Sequence, residues 1–586
     1  SHPVRYFHEL WARRERSDLV IASRFVAGGG ANMPRHRYFL SWWLNLVTRL
    51  VRGWPIRDSS SGLRLYQREA VAGLPLKAED FSVQQEILAR LLGHGARVEE
   101  MPFFYETRLG GESKADIPVL ARRYVRMLCE LRREREGGWA SPTALVAVFV
   151  WGVLTGLWGL QWGLPGPDRR PAFPELSVAG ARDLSSRWSR LYEDIHKAHR
   201  ELAKEEPITY VRGFEEVPPG WVFPPEHLLN SCRSFLLQSE HPDEKKIFII
   251  LAQMRPWKLD FKPLYVQYGG GFVYPLGAFL KACAVFCRAK LVPDVAYYLL
   301  HPDEMARLYL DARYFIMIFQ LGSLCLLFAL GLRLGGWKVG SVAALFFGLC
   351  PVVLNYSHLV NPHAYMAFWG LASFYWMCRA HDEGFLQDYL ACGLCAGLGW
   401  SSTLTQAYLV GLPLLAWLSR RLNGQAERRE LRRACAASVA AVALCLMLNP
   451  YLVLQHRDFI WELFIYSSGW SGFHPAALLD LPRNVAVGIG AVLGILAAWG
   501  LWRCLFGRDR TARMLAIGAM LGPAALLLVL TKEGTAGPAS LRHHYVAVGL
   551  ACLFAARGLK GLPRLLRLLC LGAVIADSGL NAFVVL

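Results

Sequence analysis

The chain has 586 residues, 54% of them hydrophobic and 19% charged, with 20 Trp and a formal net charge of +18. That is too long for one domain and too apolar for an ordinary water-soluble protein, so a membrane protein is the first expectation. The positive charge does not point to nucleic acid, because the Arg and Lys are dispersed over the front of the chain and then bunched in short loops between apolar runs.

Residues 1–138 read as a soluble, basic, mixed domain. The first predicted strand is "DLVIASRFVAGGG" (18–30), a buried-strand pattern running into an Arg and a Gly-rich turn, which brings backbone N–H groups and a cation toward an anion. Three more blocks follow: "RDSSSGLRLYQREA" (57–70), "FSVQQEILARLLGHGARVEEMPFFYETR" (81–108) and "RLGGESKAD" (108–116). In this order they resemble the C-terminal half of family 2 glycosyltransferases of the dolichol- or polyprenyl-phosphate sugar synthase type.

That resemblance implies a partial α/β domain of GT-A type whose N-terminal half is missing. Ser1-His2-Pro3 matches the segment that follows the family's metal-binding aspartates. No cofactor is therefore expected to be retained here, although Mg2+ or Mn2+ and a nucleotide-sugar are expected of a complete domain. The copy as it stands should bind nucleotide-sugar weakly and not catalyse, and should leave an unpaired strand edge near "DLVIAS". By the same resemblance Arg24, Arg35, Arg37, Arg108, Ser113 and Lys114 would face phosphate, where guanidinium forks suit the oxygens. Asp58, Arg64, Gln84 and Glu86 would shape the acceptor side. "ARRYVRMLCELRREREGG" (121–138) reads as a basic juxtamembrane helix.

From residue 139 to 586 long uncharged runs recur, among them "ALVAVFVWGVLTGLWGLQWGL" (144–164), "FIMIFQLGSLCLLFALGL" (315–332) and "MLAIGAMLGPAALLLVL" (514–530). Each approaches the ~20 residues that cross a bilayer core. About ten to thirteen helical spans are expected, since only helices close the backbone hydrogen bonds of such runs. Basic bunches such as Arg420, Arg421, Arg428 and Arg429 fall in alternate loops, which places those loops and the front domain on the cytoplasmic side. The stretches 271–300 and 386–418 are ambiguous between a crossing and a re-entrant turn. Cys392 and Cys395 form a CxxC, but among small residues suited to close helix packing rather than to metal or redox chemistry.

Between the first run and the next lies a hydrophilic stretch of about a hundred residues (165–270), far longer than an ordinary connection and so a functional candidate. It holds His241-Pro242-Asp243-Glu244, a tetrapeptide that recurs as His301-Pro302-Asp303-Glu304. Proline and carboxylates ahead of an apolar run are ordinary at a helix start.

The order of "HPDE", "QYGGGFVYP" (267–275), "NYSHLVNPH" (355–363), "LNPYLVL" (448–454) and "RHHY" (542–545) resembles GT-C polytopic glycosyltransferases near the family 39 protein mannosyltransferases and aminoarabinose transferases. The resemblance implies an all-α polytopic membrane domain over 139–586 and a catalytic base in the first outer loop, Asp243 or Glu244, with Asp168 and Glu175 as rivals nearer the first span. The second HPDE reads as an interfacial helix start. Lys245, Arg255, Arg542, His543 and Tyr268 are the candidates for the donor and its leaving phosphate, with Lys246, Lys258, Arg457 and His544 also available.

The function expected is sugar transfer from a polyprenyl-phosphate-linked donor to an acceptor on the outer face of a bacterial or archaeal plasma membrane. The alternative is a non-catalytic lipid-sugar flippase, or a membrane anchor, attached to a synthase. The expected partners are the polyprenyl-phosphate lipid, the lipid-linked sugar and the membrane.

Overall fold

A computed structural model describes residues 5–26, 28–33, 41, 45, 56–74, 76, 83–93, 95–106, 140–157, 159–172, 176–187, 234–258, 261, 268–286, 288–454, 482–530 and 538–582. The chain divides into two compact units, Ser1–Thr143 and Ala144–Leu586. It is mostly helical, with few strands.

In the first unit, β1 (Leu19–Ser23) is buried along its whole length. It runs uninterruptedly apolar because both of its faces are covered. Val20 and Ala22 pack with Tyr6 and Leu10 of α1 (Arg5–Ala12), while Leu19 and Ile21 pack with Leu88 and Leu91 of α2 (Val83–Gly93). This is the two-residue period of a strand read from either side. β2 (Gly30–Ala31) pairs in parallel with β5 (Phe104–Tyr105). β1 lies between β3 (Arg64–Tyr66), antiparallel to it, and β4 (Val98–Pro102), parallel to it. The unpaired edge expected near "DLVIAS" is therefore absent: Val20 stands opposite Leu65 on one side and Glu99 on the other.

The second unit opens on α3 (Ala140–Leu157). The first apolar run continues past it, but Gly159 and Gly163 take positive φ and turn the chain. This exposes backbone carbonyls that the site uses. α4 (Pro242–Gln253) and α5 (Gly270–Val285) follow, then α6 (Pro302–Gly335), a single 34-residue helix. Its apolar run begins thirteen residues after Pro302, which at 1.5 Å per residue is about 20 Å along the axis. The second HPDE thus starts a helix, as its composition suggested.

After α6 come α7 (Trp337–Leu349), the short α8 (Pro351–Tyr356), α9 (His363–Glu383) and α10 (Leu386–Ser402). The ambiguity over 386–418 has a structural cause: a 3-10 segment, Leu404–Gly411, breaks the run before α11 (Leu412–Leu422). α12 (Arg428–Leu448) lies so close to α10 that a Cβ on Gly393 would stand 2.1 Å from the Ala437 carbonyl oxygen. Cys392 is buried there, its thiol donating to the Ser373 carbonyl at 3.3 Å. α13 (Ala491–Leu505), α14 (Arg510–Leu530), α15 (Tyr545–Lys560) and α16 (Arg564–Ala582) complete the unit. Among the described residues three helices are long and apolar enough to cross a membrane: Pro302–Gly335, Arg429–Leu448 and Pro482–Leu505.

Three motifs singled out in the sequence meet in one seam. The Gly270 N–H donates to Asn449 Oδ1 at 2.7 Å, and the Asn449 amide donates to the carbonyls of Ser401 (3.1 Å) and Cys445 (3.0 Å). The glycines are required by space rather than by backbone torsion: Gly269 has an ordinary φ of −67°, yet a Cβ on it would sit 1.8 Å from the Ser401 carbonyl oxygen. Gly269→Ala should therefore cost about 1–3 kcal/mol through overpacking. Gly572→Ala, where a Cβ meets nothing within 4 Å, should be neutral or slightly stabilising. Thermal unfolding of the two variants in detergent checks this, and equal midpoints would refute it.

Candidate functional site

α4 starts at the first HPDE, where His241 is the N-cap and its Nδ1 accepts the Asp243 N–H at 3.3 Å. Asp243 and Glu244 both lie in the first turn, where carboxylates suit the dipole. Consecutive residues on a helix point about 100° apart. The two carboxylates accordingly meet different surroundings.

Glu244 turns inward. It forms a two-pronged ion pair with Arg313 of α6, at 2.8 Å from Nε and 2.6 Å from Nη2, and both side chains are 0% exposed. Glu244 also accepts the Val360 N–H at 2.8 Å, while Arg313 Nη1 donates to the carbonyls of Leu160 (2.7 Å) and Trp162 (2.8 Å). The pair ties α4, α6, the turn after α3 and the 357–362 loop together. Its oxygens are committed, which leaves Glu244 no room as a base candidate.

Asp243 turns away from that pair. Its side chain is 14% exposed, with the Tyr268 hydroxyl donating to it at 3.4 Å and Arg542 Nη2 standing 3.7 Å away. Arg542, 27% exposed, donates through Nη1 to the Tyr356 hydroxyl at 3.2 Å and lies over that ring at 5.2 Å. Its Nε is buried with no acceptor among the described residues. His543 stands beside it, ring to ring with His363 at 5.0 Å. His543 is exposed to solvent, yet desolvation by the surrounding protein and then the Arg542 charge push its pKa down to about 4.

The sequence spacing between the first span and HPDE is bridged directly. The Glu240 N–H donates to the Gly163 carbonyl at 2.9 Å. Arg169 donates to the carbonyls of Phe235 (2.7 Å) and Gln238 (2.8 Å) and to Glu240 (2.9 Å). HPDE therefore sits against the end of the first span despite the long stretch between them. Asp168 is exposed, in the short 3-10 segment Pro167–Ala172.

Lys245 and Lys246 are half-buried and Arg255 and Lys258 exposed, and the side chain of none makes a hydrogen bond or ion pair among the described residues. The structure does not bring them to Asp243. Glu175 and Arg457 lie outside the described residues, as do Arg35, Arg37, Arg108, Ser113 and Lys114.

In the first unit the expected phosphate-facing and acceptor residues pair with their own fold. Arg24 grips Asp58 with Nε and Nη2, each at 2.8 Å, and adds Ser60 at 2.7 Å. Burial works to raise the Asp58 pKa, but the hydrogen bonds and charge of Arg24 outweigh it, and the net effect is a lowered value. Arg64 donates to the backbone carbonyls of Ser59, Ser61 and Gln84 at 2.6–2.7 Å. Glu86 pairs with Arg90 at 2.7 Å, one turn along α2. The Arg24 and Arg64 guanidiniums are thus engaged by carboxylate, hydroxyl and carbonyl oxygens of their own fold.

Sequence reasoning passed over Arg169, and it quoted Tyr356 within "NYSHLVNPH" and Asn449 within "LNPYLVL" without giving either a role. An Arg at the start of an apolar run, such as Arg313, does signal a buried partner; nothing local shows which residue of those two motifs is used. His358 and His544 flank the site, both buried, and desolvation pushes each pKa down to about 4. Between pH 6.5 and 4 the unfolded chain takes up protons that these groups refuse while folded, so stability should fall as pH falls through that window. Unfolding midpoints measured across it would check this, and a flat profile would refute it.

Fold and site together describe a mostly helical protein of membrane-crossing type that sets a carboxylate and a guanidinium side by side. Residues 309–453 match the family "Dolichyl-phosphate-mannose-protein mannosyltransferase", a stretch that includes Arg313, Tyr356 and Asn449 but neither Asp243 nor Arg542. In its N-terminal region the chain is 31% identical over 118 residues to an undecaprenyl-phosphate mannosyltransferase of Micrococcus luteus, covering 20% of this chain and 49% of that one. It is 35% identical over 102 residues to a polyprenol monophosphomannose synthase of Mycolicibacterium smegmatis, covering 17% and 38%. The chain thus spans half or less of the length of these curated relatives.

Among solved structures, the archaeal oligosaccharyltransferase AglB of Archaeoglobus fulgidus aligns over 54% of this chain and 47% of its own, at 14% identity and a TM-score of 0.38, a likeness too loose to argue from. Both resemblances drawn from the sequence recur in the family and relative matches, and with the apolar helices they mark an integral membrane protein.

Proposed function

We propose that the second unit is a membrane glycosyltransferase that moves a sugar, mannose by analogy with its relatives, from a polyprenyl-phosphate carrier to a hydroxyl acceptor on the outer face. The observation that supports this reading most is the split between neighbours: Glu244 is locked to Arg313, while Asp243 is held only loosely, by the Tyr268 hydroxyl at 3.4 Å and Arg542 at 3.7 Å. Asp243 accepts the acceptor hydroxyl's proton as that oxygen bonds to the sugar C1. The bond from C1 to the phosphate oxygen breaks, and the phosphate leaves with the electron pair, its new charge met by Arg542. Tyr268 holds the second oxygen of Asp243 and fixes the carboxylate plane.

Among the described residues no group of His, Cys, Asp and Glu is placed to hold a metal ion, and no step here uses one. The first unit, on this reading, is the matching part of a cytoplasmic synthase that charges the same class of lipid, which is the reason to join the two. The test is turnover of polyprenyl-phosphate-linked radiolabelled mannose by the purified full chain, offered protein and glycan acceptors. Lipid-sugar that crosses vesicle bilayers but is never consumed would replace this reading with the flippase.

A further inference from the structure

The two carboxylate–guanidinium pairs of the first HPDE differ in a way that needs a cause. Glu244 and Arg313 close fully, with two bonds of 2.8 and 2.6 Å. Asp243 and Arg542, one residue along the same helix turn, approach only to 3.7 Å and through a single nitrogen. A guanidinium free to choose closes on a carboxylate with two parallel bonds near 2.8 Å. Something holds Arg542 back.

The restraint is Tyr356. Its hydroxyl accepts from Arg542 Nη1 at 3.2 Å, and its ring lies under the guanidinium carbon at 5.2 Å. Tyr356 is itself fixed: it is buried, the Asn361 amide donates to its carbonyl at 3.2 Å, and its ring meets the His241 imidazole edge-on at 5.8 Å. Its position is thus set from both the 357–362 loop and the cap of α4.

We infer that Tyr356 is a positioning residue that holds Arg542 beside Asp243 without letting the two close, so that the carboxylate stays open to an acceptor hydroxyl and the guanidinium to a phosphate. This rests on the reading given above for Asp243 and Arg542, and it adds how the two are kept apart. A closed pair would occupy both oxygens of the base and both outer nitrogens of the cation, and each substrate would have to break it. The hydroxyl and the ring together draw off one nitrogen and hold the guanidinium plane, while Nη2 remains for a phosphate oxygen.

The test compares wild type with Tyr356→Phe, which keeps the ring and removes the acceptor, in the full chain in lipid nanodiscs. Infrared difference spectra against pH, with Asp243→Asn identifying the band, report the Asp243 carboxylate directly and need no turnover. In Tyr356→Phe the guanidinium is expected to close, and the Asp243 titration to move down by about one pH unit, as a nearer opposite charge demands. Farnesyl phosphate, as the phosphate probe, is expected to bind Tyr356→Phe about threefold to tenfold more weakly, a difference of about 0.7–1.4 kcal/mol. An unchanged or raised Asp243 titration overturns the inference, and so does unchanged farnesyl phosphate affinity in a variant whose titration has moved. Should the wild type neither bind the probe nor consume lipid-linked sugar, the proposed function fails, while the infrared titration still decides the role of Tyr356.

Discussion

Asp243→Asn is expected to lower sugar transfer by a factor of about 10²–10⁴, the usual worth of a positioned general base, while leaving the fold nearly intact. The side chain is partly exposed, its bond to Tyr268 is long at 3.4 Å, and Arg542 is further still. Asn preserves the shape, and the only stabilisation lost is the carboxylate's interaction with the start of α4, about 0.3–1 kcal/mol. Matched measurements of transfer rate and unfolding midpoint would separate these effects. Full activity in the variant would remove Asp243 from the chemistry and return Asp168 to consideration.

Glu244→Gln is expected to behave in the opposite manner. Arg313 would remain 0% exposed with its charge uncompensated, and breaking such a pair costs about 3–5 kcal/mol, a large fraction of a domain's stability. The protein should melt well below wild type, with activity lost through the fold rather than through the rate step. The double variant Glu244→Met with Arg313→Met should recover part of that loss, because no lone charge is left behind. Recovery stays partial, since the carbonyls of Leu160 and Trp162 lose their donor. A Glu244→Gln protein as stable as wild type would show that the pair is not the keystone its geometry implies.

How much of this was readable beforehand follows from the range of each interaction. Both copies of HPDE announce a helix start through Pro and acidic residues, and both begin helices, because capping is local. Which carboxylate faces Arg313 and which faces Arg542 depends on segments far away in the chain, and no local pattern encodes that. β1 was legible as a buried strand from its apolar run. Its partner β3 has only three residues, too few to show a period, so the expected open edge was filled by an element the sequence does not signal. Arg24 illustrates the remaining limit: a sequence shows a guanidinium but not whether Asp58 of the same domain reaches it first. The break at Leu404–Gly411 likewise left 386–418 undecided, since a 3-10 segment is as apolar as the helices it separates.

The staple made by Arg169 bears on how this region can vary. Ala181 and Leu184 on the outgoing limb share one apolar cluster with Leu236 and Leu237 on the returning limb, and Arg169 fastens the return just ahead of His241. The described limbs 176–187 and 234–240 are thereby joined to each other and to the scaffold. Chain carried between two limbs pinned in this way adds only a slowly growing entropy cost as it lengthens, so its length can change without shifting the limbs. Because the returning limb runs straight into His241, the cap of α4, the same staple that pins the limb also fixes where α4 begins.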